Sequence, residues 1–115
     1  MNKMKLVVNN ESKRNEKEKF FIKKELQSIL NLYARMVSNG SWKDYSFTSG
    51  IKEVSFDVYQ RASEKPVLRI LKNLKPKYLN EKYLINDKNG EVLKKSENLN
   101  QLISKTSWNK LKLVK

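Results

Sequence analysis

The sequence predicts an α+β fold: an N-terminal helix, an antiparallel meander of four to five strands, and a C-terminal helix. Two observations indicate this fold. Between positions 25 and 38 the apolar residues recur at the three- and four-residue spacing of one helical face. From residue 42 onward the apolar spacing changes to two, the period of a strand with one buried face. We therefore expect helices that cover one face of an antiparallel sheet.

The first predicted helix covers residues 25–38. Asn39 and Gly40 follow it, and glycine supplies the left-handed conformation that commonly closes a helix. The apolar residues expected to face the sheet are Leu26, Ile29, Leu30, Tyr33, Met36 and Val37.

The first two predicted strands follow this helix. The first covers residues 42–47, and the run of Thr48, Ser49 and Gly50 is expected to end it. The second covers residues 54–59, where apolar and polar residues alternate. That alternation predicts one buried face and one wetter face, the latter carrying Ser55, Asp57 and Tyr59.

The remaining strands are marked by turn residues. Residues 61–66 are predicted to form a loop that leads into a third, antiparallel strand at 67–71. The apolar runs 83–85 and 92–93 are joined through residues 87–90, and Asn89 followed by Gly90 is a strong hairpin signal. The sheet is therefore expected to be a meander.

The C-terminal region predicts a second helix. Ser96 is the expected N-cap, and the apolar residues Leu99, Leu102 and Ile103 share one face as far as Thr106. Residues 108–114 alternate again, which favours a short final strand.

Length and composition indicate a single domain. The chain has 115 residues, and residues 1–19 are so polar and charged that we expect a disordered basic tail. Residues 20–115 then form one α+β domain with a modest core. No apolar run is long enough for a membrane helix or a signal peptide, so we expect a cytoplasmic protein without a membrane partner.

The absence of histidine and cysteine excludes several classes of chemistry. No disulfide, thiolate or imidazole metal site, cysteine nucleophile or Ser-His-Asp triad can be built. Three isolated glycines form no phosphate-binding loop, and the carboxylates show no paired spacing. We therefore expect a non-enzymatic protein with no catalytic residues, no metal site and no cofactor.

The net charge of +13 has two interpretations. Lysine outnumbers arginine by 21 to 4, and the A/T-rich codons of lysine and asparagine explain that ratio by genome composition alone. Codon usage does not explain the twofold excess of cations over anions. A positive field of this size attracts polyanions, nucleic acid first.

Two groups of residues are candidates for contact with nucleic acid. Arg35, Trp42 and Lys43 lie near the end of the first helix, where cations bind phosphate and an aromatic ring stacks a base. The alternative is that Trp42 packs the first strand on the helix while Arg35 pairs with Asp44.

The second group belongs to the predicted loop at 61–66 and the strand after it. It comprises Arg61, Ser63, Lys65 and Arg69, in which donors for an anion converge on a tight connection. Arginine at 35, 61 and 69, in a chain that uses lysine almost everywhere, suggests bidentate hydrogen bonding to a phosphate or to an internal carboxylate. The alternative is that Ser63 only closes the turn.

Several motifs in order resemble those of a known bacterial family. They are the helix and turn at residues 25–45, the loop at 61–66, Arg69 with Ile70, Leu93 with Lys94, and the tail at 110–114. Over residues 20–115 the chain resembles the family catalogued as domain of unknown function 2794, although residues 104–108 depart from its more regular helical stretch. The resemblance implies a compact bacterial cytoplasmic domain and supplies no catalytic residues.

Two functions are compatible with this sequence. The first is a module that binds RNA or DNA mainly through phosphate contacts. The alternative is a protein-binding adaptor that acts through a sheet edge or a helix surface, using an exposed patch such as Leu32 with Tyr33 or Tyr78 with Tyr83. The sequence leaves the oligomeric state open.

Overall fold

The computed structural model describes residues 18–61 and 65–108. It confirms the α+β fold, with five strands between two helices and a short 3₁₀ turn at Leu79–Glu81. No helix in the described ranges is long and apolar enough to cross a membrane. The elements are α1 (Lys23–Ser38), β1 (Asp44–Ser49), β2 (Glu53–Tyr59), β3 (Leu68–Asn73), β4 (Tyr83–Asp87), β5 (Val92–Ser96) and α2 (Leu99–Lys105).

The five strands form one antiparallel sheet in sequence order, which is the predicted meander. In the paired strands Phe47 lies opposite Phe56, Phe56 opposite Ile70, and Ile70 opposite Ile85. Because opposite residues share a face, this row crosses four strands on the face that the helices cover. We call the other side of the sheet the open face.

The core lies between the two helices and the covered face of the sheet. The α1 residues Ile29, Leu32 and Met36 pack against the apolar residues of the strands. Two tryptophans close one end, with ring centroids 5.8 Å apart in an edge-to-face arrangement. Within the described ranges, the buried apolar residues are Phe21, Ile29, Leu32, Met36, Trp42, Val54, Phe56, Val58, Leu68, Ile70, Leu71, Tyr83, Ile85, Leu99, Leu102 and Trp108.

Helix α1 is turned relative to the predicted apolar face. Leu32 and Glu25 are buried, whereas Leu30 and Val37 are each 41% exposed. The apolar arc of α1 is wider than the sheet beneath it can cover, so one side of that arc stays at the surface. The helix ends as predicted, with Asn39 at its C-cap and Gly40 at a φ of +84°.

Strand β1 extends beyond its predicted end. Thr48 and Ser49 were expected to break it, but they continue the ladder opposite Ser55 and Val54. The backbone N–H of Gly50 donates to the carbonyl of Glu53 at 2.9 Å, and this hydrogen bond makes the turn tight. The turn therefore begins only at Gly50.

The N-cap predicted for the second helix is wrong. Ser96 is the last residue of β5, and its Oγ accepts the N–H of Asn98 at 3.1 Å. Asn98 is the N-cap of α2, since its Oδ1 accepts the N–H of Gln101 at 3.0 Å. The predicted final strand, beyond Trp108, and the predicted tail before residue 18 lie outside the described residues.

Candidate functional site

Most of the predicted contact residues collect at one end of the sheet. Because Asp44 lies opposite Tyr59 and Leu68 opposite Asp87, the start of β1, the end of β2, the start of β3 and the end of β4 share this end. The last turn of α1 reaches the same end, since it leads directly into β1. We call this the basic end; its cations include Arg35, Lys43, Arg61, Lys65, Arg69 and Lys88.

The basic end contains a groove of about 370 Å³. Arg69 and Asn86 lie opposite each other on β3 and β4 within its lining. The side-chain oxygen of Asn86 is buried and has no hydrogen-bond partner among the described residues. The described lining contains three cations and one carboxylate, and it consists of Lys65, Pro66, Arg69, Asn86, Asp87, Lys88, Asn89 and Gly90.

The hairpin wall of the groove is built by Asp87. Its Oδ1 accepts the backbone N–H groups of Asn89 and Glu91, each at 2.9 Å. Gly90 has a φ of +85°, the left-handed conformation that this predicted Asn-Gly turn requires. Asp87, the only carboxylate among the described lining residues, is thus engaged in shaping the turn, while Lys88 beside it is exposed.

Arg69 is held on the open face by a buried carboxylate. Its Nε lies 3.5 Å from Asp57 Oδ1, and the arginine side chain is 46% exposed. Asp57 also accepts the hydroxyl protons of Thr48 at 2.6 Å and Ser55 at 2.7 Å. Because its Nε faces Asp57, the guanidinium can direct its remaining N–H groups outward.

The sequence-based assignment of Asp57 and Ser55 to a wet face is wrong. Asp57 is 1% exposed and Ser55 is 4% exposed, although neither lies under a helix. Their neighbours on the same face include Thr48 and Arg69. The alternation of apolar and polar residues along β2 shows which side chains lie on the open face. It does not show that polar side chains there are buried by hydrogen bonding to one another.

Trp42 occupies the core instead of a binding surface. It is 5% exposed and packs against Tyr33 and Trp108 at centroid distances of 6.1 and 5.8 Å. This is the alternative considered from the sequence, in which Trp42 packs the first strand on the helix. A ring buried to this degree has no open face on which a base can stack.

The other predicted contact residues occupy different parts of the basic end. Arg35 is exposed in the last turn of α1, on the helical side of the sheet, whereas Arg69 is on the open face. Asp44 does not pair with Arg35; its Oδ1 accepts the N–H of Tyr45 at 2.8 Å. Lys43 and Arg61 are exposed beside β1 and β2, and Ser63 lies outside the described residues.

Lys65 and Arg69 are therefore the predicted pair that the groove brings together. Lys88 and Asn86 were missed because no local pattern marks them as ligands. The Asn-Gly signal predicted the hairpin, but only the pairing of β3 with β4 places that hairpin beside residue 65. A sequence reading would have needed this strand pairing to find the whole groove.

The apolar patches named for an adaptor are not formed as predicted. Leu32 is 3% exposed and Tyr83 is 5% exposed, so both belong to the core. Tyr33 is half-buried, and Tyr78 alone of these four residues is largely exposed. The apolar residues at the surface of α1 are instead Leu30 and Val37.

A second polar cluster lies inside the domain, away from the basic end. Lys72 Nζ, 1% exposed, donates to Glu25 Oε1 at 2.8 Å and to the carbonyl of Phe20 at 3.1 Å. Tyr83 donates its hydroxyl proton to Glu25 Oε2. Burial and the Glu25 carboxylate raise the pKa of Tyr83 well above its ordinary value. Glu18 also pairs with Lys72, so this cluster fixes the chain before α1 to the sheet.

The raised pKa of Tyr83 predicts a loss of stability in alkali. The folded state keeps the phenol protonated, whereas the unfolded state releases its proton near pH 10. The contribution of Tyr83 is therefore complete below pH 10 and declines above it by about 1.4 kcal/mol per pH unit. Urea unfolding at pH 8 and pH 11 should show a larger decline for the natural chain than for Tyr83→Phe.

Tyr78→Phe is the matched control, because Tyr78 is 58% exposed. Its decline between the two pH values should equal that of the natural chain. Equal declines in the Tyr83→Phe and natural chains would contradict the assignment of a protonated phenol to the folded state.

No group of three or more potential metal-binding side chains occurs in the described ranges. The lining of the groove offers cations and amides, which suit an anion better than a metal ion.

A family model described as "Protein of unknown function (DUF2794)" matches residues 19–103. The chain belongs to the DUF2794 family. The match includes α1, all five strands and most of α2 of this DUF2794 chain, and it agrees with the resemblance noted in the sequence. No curated protein matches the chain, and no solved structure matches it.

Proposed function

We propose that this DUF2794 chain is a small module that binds RNA or DNA through phosphate contacts at its basic end. The groove lined by Lys65, Arg69 and Lys88 is the observation that supports this function best. Cations from two loops and a strand lie in one concave surface there. A phosphate group in such a surface can contact several of them at once.

The three cations have different tasks in this proposal. Lys65 and Lys88 are exposed point charges on flexible stems, which adapt to phosphates at different positions. Arg69 is constrained by Asp57 and offers planar donors in a fixed direction. The buried oxygen of Asn86, which has no partner among the described residues, is an acceptor that the 2′-hydroxyl of a bound RNA would satisfy without any base contact.

The expected binding is sequence-tolerant. Trp42 is buried and cannot stack a base, so phosphate contacts carry most of the affinity. A net charge of +13 adds a field that attracts polyanions over a distance. We therefore propose a module that tracks the nucleic-acid backbone without reading bases.

The amino-acid composition also bears on where this function takes place and whether it needs a cofactor. A chain without histidine and cysteine has few groups for catalysis or for redox-dependent folding. We propose that the domain works in the bacterial cytoplasm without metal or cofactor.

Replacing Lys65 and Lys88 together with alanine should weaken binding to a labelled 20-nucleotide RNA and to duplex DNA of the same length. If each lysine neutralises one phosphate, the slope of log affinity against log salt should fall by about 1.4 for single strands and about 1.8 for B-DNA. Fluorescence anisotropy between about 50 and 200 mM salt measures both the affinity and the slope.

The matched control is Lys52→Ala with Lys75→Ala. Both lysines are exposed near the opposite end of the sheet, and the net charge of the chain falls by the same amount. This pair should change the slope by less than half as much. Equal effects of the two pairs on the slope would show that the overall positive charge, and not the groove, binds the nucleic acid. Absence of binding at about 50 mM salt would contradict nucleic-acid binding altogether.

A further inference from the structure

Strand β1 is an edge strand of the sheet, and no strand in the described ranges pairs with its outer side. The N–H of Gly50 donates to the carbonyl of Glu53, so the backbone groups of Gly50 face β2. Along an antiparallel strand, the N–H and C=O groups of successive residues face alternately toward the neighbouring strand and away from it. By this alternation Thr48 and Ser46 bond to β2, whereas Tyr45, Phe47 and Ser49 direct their N–H and C=O groups outward. The Tyr45 N–H is engaged by Asp44, which leaves Phe47 and Ser49 as the outward donors.

The two edges of the sheet differ in protection. The β5 edge carries Lys94 and Lys95, and a register shift interrupts its pairing with β4. Lysines and bulges of this kind discourage the addition of a further strand. Strand β1 contains no lysine, no proline and no register shift, so none of these features protects its edge within the part of the chain that the structure describes.

An apolar surface adjoins the open edge. Leu26, Leu30, Tyr33 and Val37 follow one side of α1 at four- and three-residue spacing, and we call them the α1 stripe. Tyr33 packs edge-to-face on Tyr45 of β1 at a centroid distance of 4.8 Å, which joins the stripe to the strand. The exposed fractions are 41% for Leu30, 41% for Val37 and 40% for Tyr45.

A strand added at this edge would form hydrogen bonds with the backbone of β1 and would also cover apolar side chains of the α1 stripe. Its backbone would bond to the outward groups of Phe47 and Ser49, and its side chains would alternate between the covered and the open face. The side chains on the covered face would lie beside Tyr45 and Phe47 and beneath the α1 stripe. Apolar residues at every second position of the incoming segment fit this arrangement.

We propose that the β1 edge and the α1 stripe together bind an extended, acidic segment of a partner protein, which adds a sixth strand to the sheet. Lys19, Lys43 and Lys52 are exposed near the two ends of β1. Among the described carboxylates beside them, Glu18 is paired with Lys72 and Asp44 is bonded to Tyr45, whereas Glu53 is exposed, so the lysines outnumber the carboxylates without such a partner. Their charge favours an acidic segment. A second copy of this chain is disfavoured, because each copy carries +13.

The test uses the full chain and a synthetic probe. The probe is an end-blocked octapeptide in which valine alternates with glutamate. Two control peptides have the same valines grouped together, or lysine in place of glutamate. The alternating acidic peptide should bind and slow amide hydrogen exchange at Phe47 and Ser49, measured by NMR, while both control peptides should leave exchange unchanged.

Two variants separate the backbone from the apolar contribution. Ser49→Pro removes one outward N–H without removing a bond to β2, and it should abolish peptide binding. Leu30→Ser with Val37→Ser should weaken binding about tenfold, because about 1.4 kcal/mol of apolar contact is lost. The matched control is Leu79→Ser with Val92→Ser, whose apolar side chains are exposed elsewhere on the domain, and it should bind as the natural chain does.

Several outcomes would overturn the proposal. Protection of Phe47 and Ser49 without peptide, rising with protein concentration, would assign the edge to a second copy. Protection without peptide at every concentration would mean that another part of this chain occupies the edge. Equal binding of the three peptides would remove the case for strand addition. If Ser49→Pro does not fold, unchanged binding by the Leu30 and Val37 variant would still contradict the proposal.

Discussion

Replacing Lys72 with alanine should lower the free energy of unfolding by about 3–5 kcal/mol. Lys72 Nζ is buried and bonded to Glu25 and to the carbonyl of Phe20. Glu25 is only 8% exposed, so removal of Lys72 leaves a buried carboxylate without its cation. An uncompensated buried charge is strongly destabilising. Urea unfolding followed by circular dichroism measures the change.

The matched control is Lys75→Ala, which removes an exposed lysine three residues away and should change stability by less than about 0.5 kcal/mol. Lys72→Met combined with Glu25→Gln should recover most of the loss, since no unpaired charge is then buried. A Lys72→Ala variant as stable as the control would show that the ion pair does not hold the folded state.

The position of Lys72 explains why the sequence did not reveal this cluster. Lys72 belongs to the covered face, opposite Val54 and Tyr83, where the alternation of β3 calls for an apolar residue. A lysine at such a position is typical of a strand end or a solvated face when only the sequence is known. Its partner Glu25 is 47 residues away, and only the packing of α1 on the sheet brings them together.

Local signals predicted the fold well because they act over a few residues. The spacing of Ile29 and Met36 indicated α1, and Asn89 with Gly90 indicated the hairpin. These local signals failed where tertiary contacts determine the bounds of an element. Ser96 can cap a helix as well as Asn98 can, and only the length of β5 distinguishes them.

The candidate site was predictable only in part for the same reason. Lys65 and Arg69 share one predicted loop and strand, so the sequence could group them. Lys88 comes from a hairpin almost 20 residues later, and its place in the groove depends on the pairing of β3 with β4. Trp42 was grouped with the cations by proximity along the chain, whereas burial decides its role.

Replacing Asp57 with alanine should lower the free energy of unfolding by about 2–4 kcal/mol, because two hydrogen bonds to a buried carboxylate are lost. The donors are the hydroxyl groups of Thr48 and Ser55. Arg69 should matter less to this stability. Its side chain is 46% exposed, and half-exposed ion pairs contribute about 1 kcal/mol or less.

Double-mutant cycles decide which partner stabilises Asp57. The coupling of Asp57→Ala with Thr48→Val should be about 1.5–3 kcal/mol, and that with Arg69→Ala below about 1 kcal/mol. The opposite order would mean that Arg69 is chiefly the structural counterion of Asp57 and has little freedom to bind a ligand. The expected order keeps Arg69 as a side chain that Asp57 orients and a phosphate can recruit without loss of the fold. In the proposed function, the Asp57 network orients Arg69 in the groove, and Lys65, Lys88 and the outward donors of Arg69 would contact the phosphate.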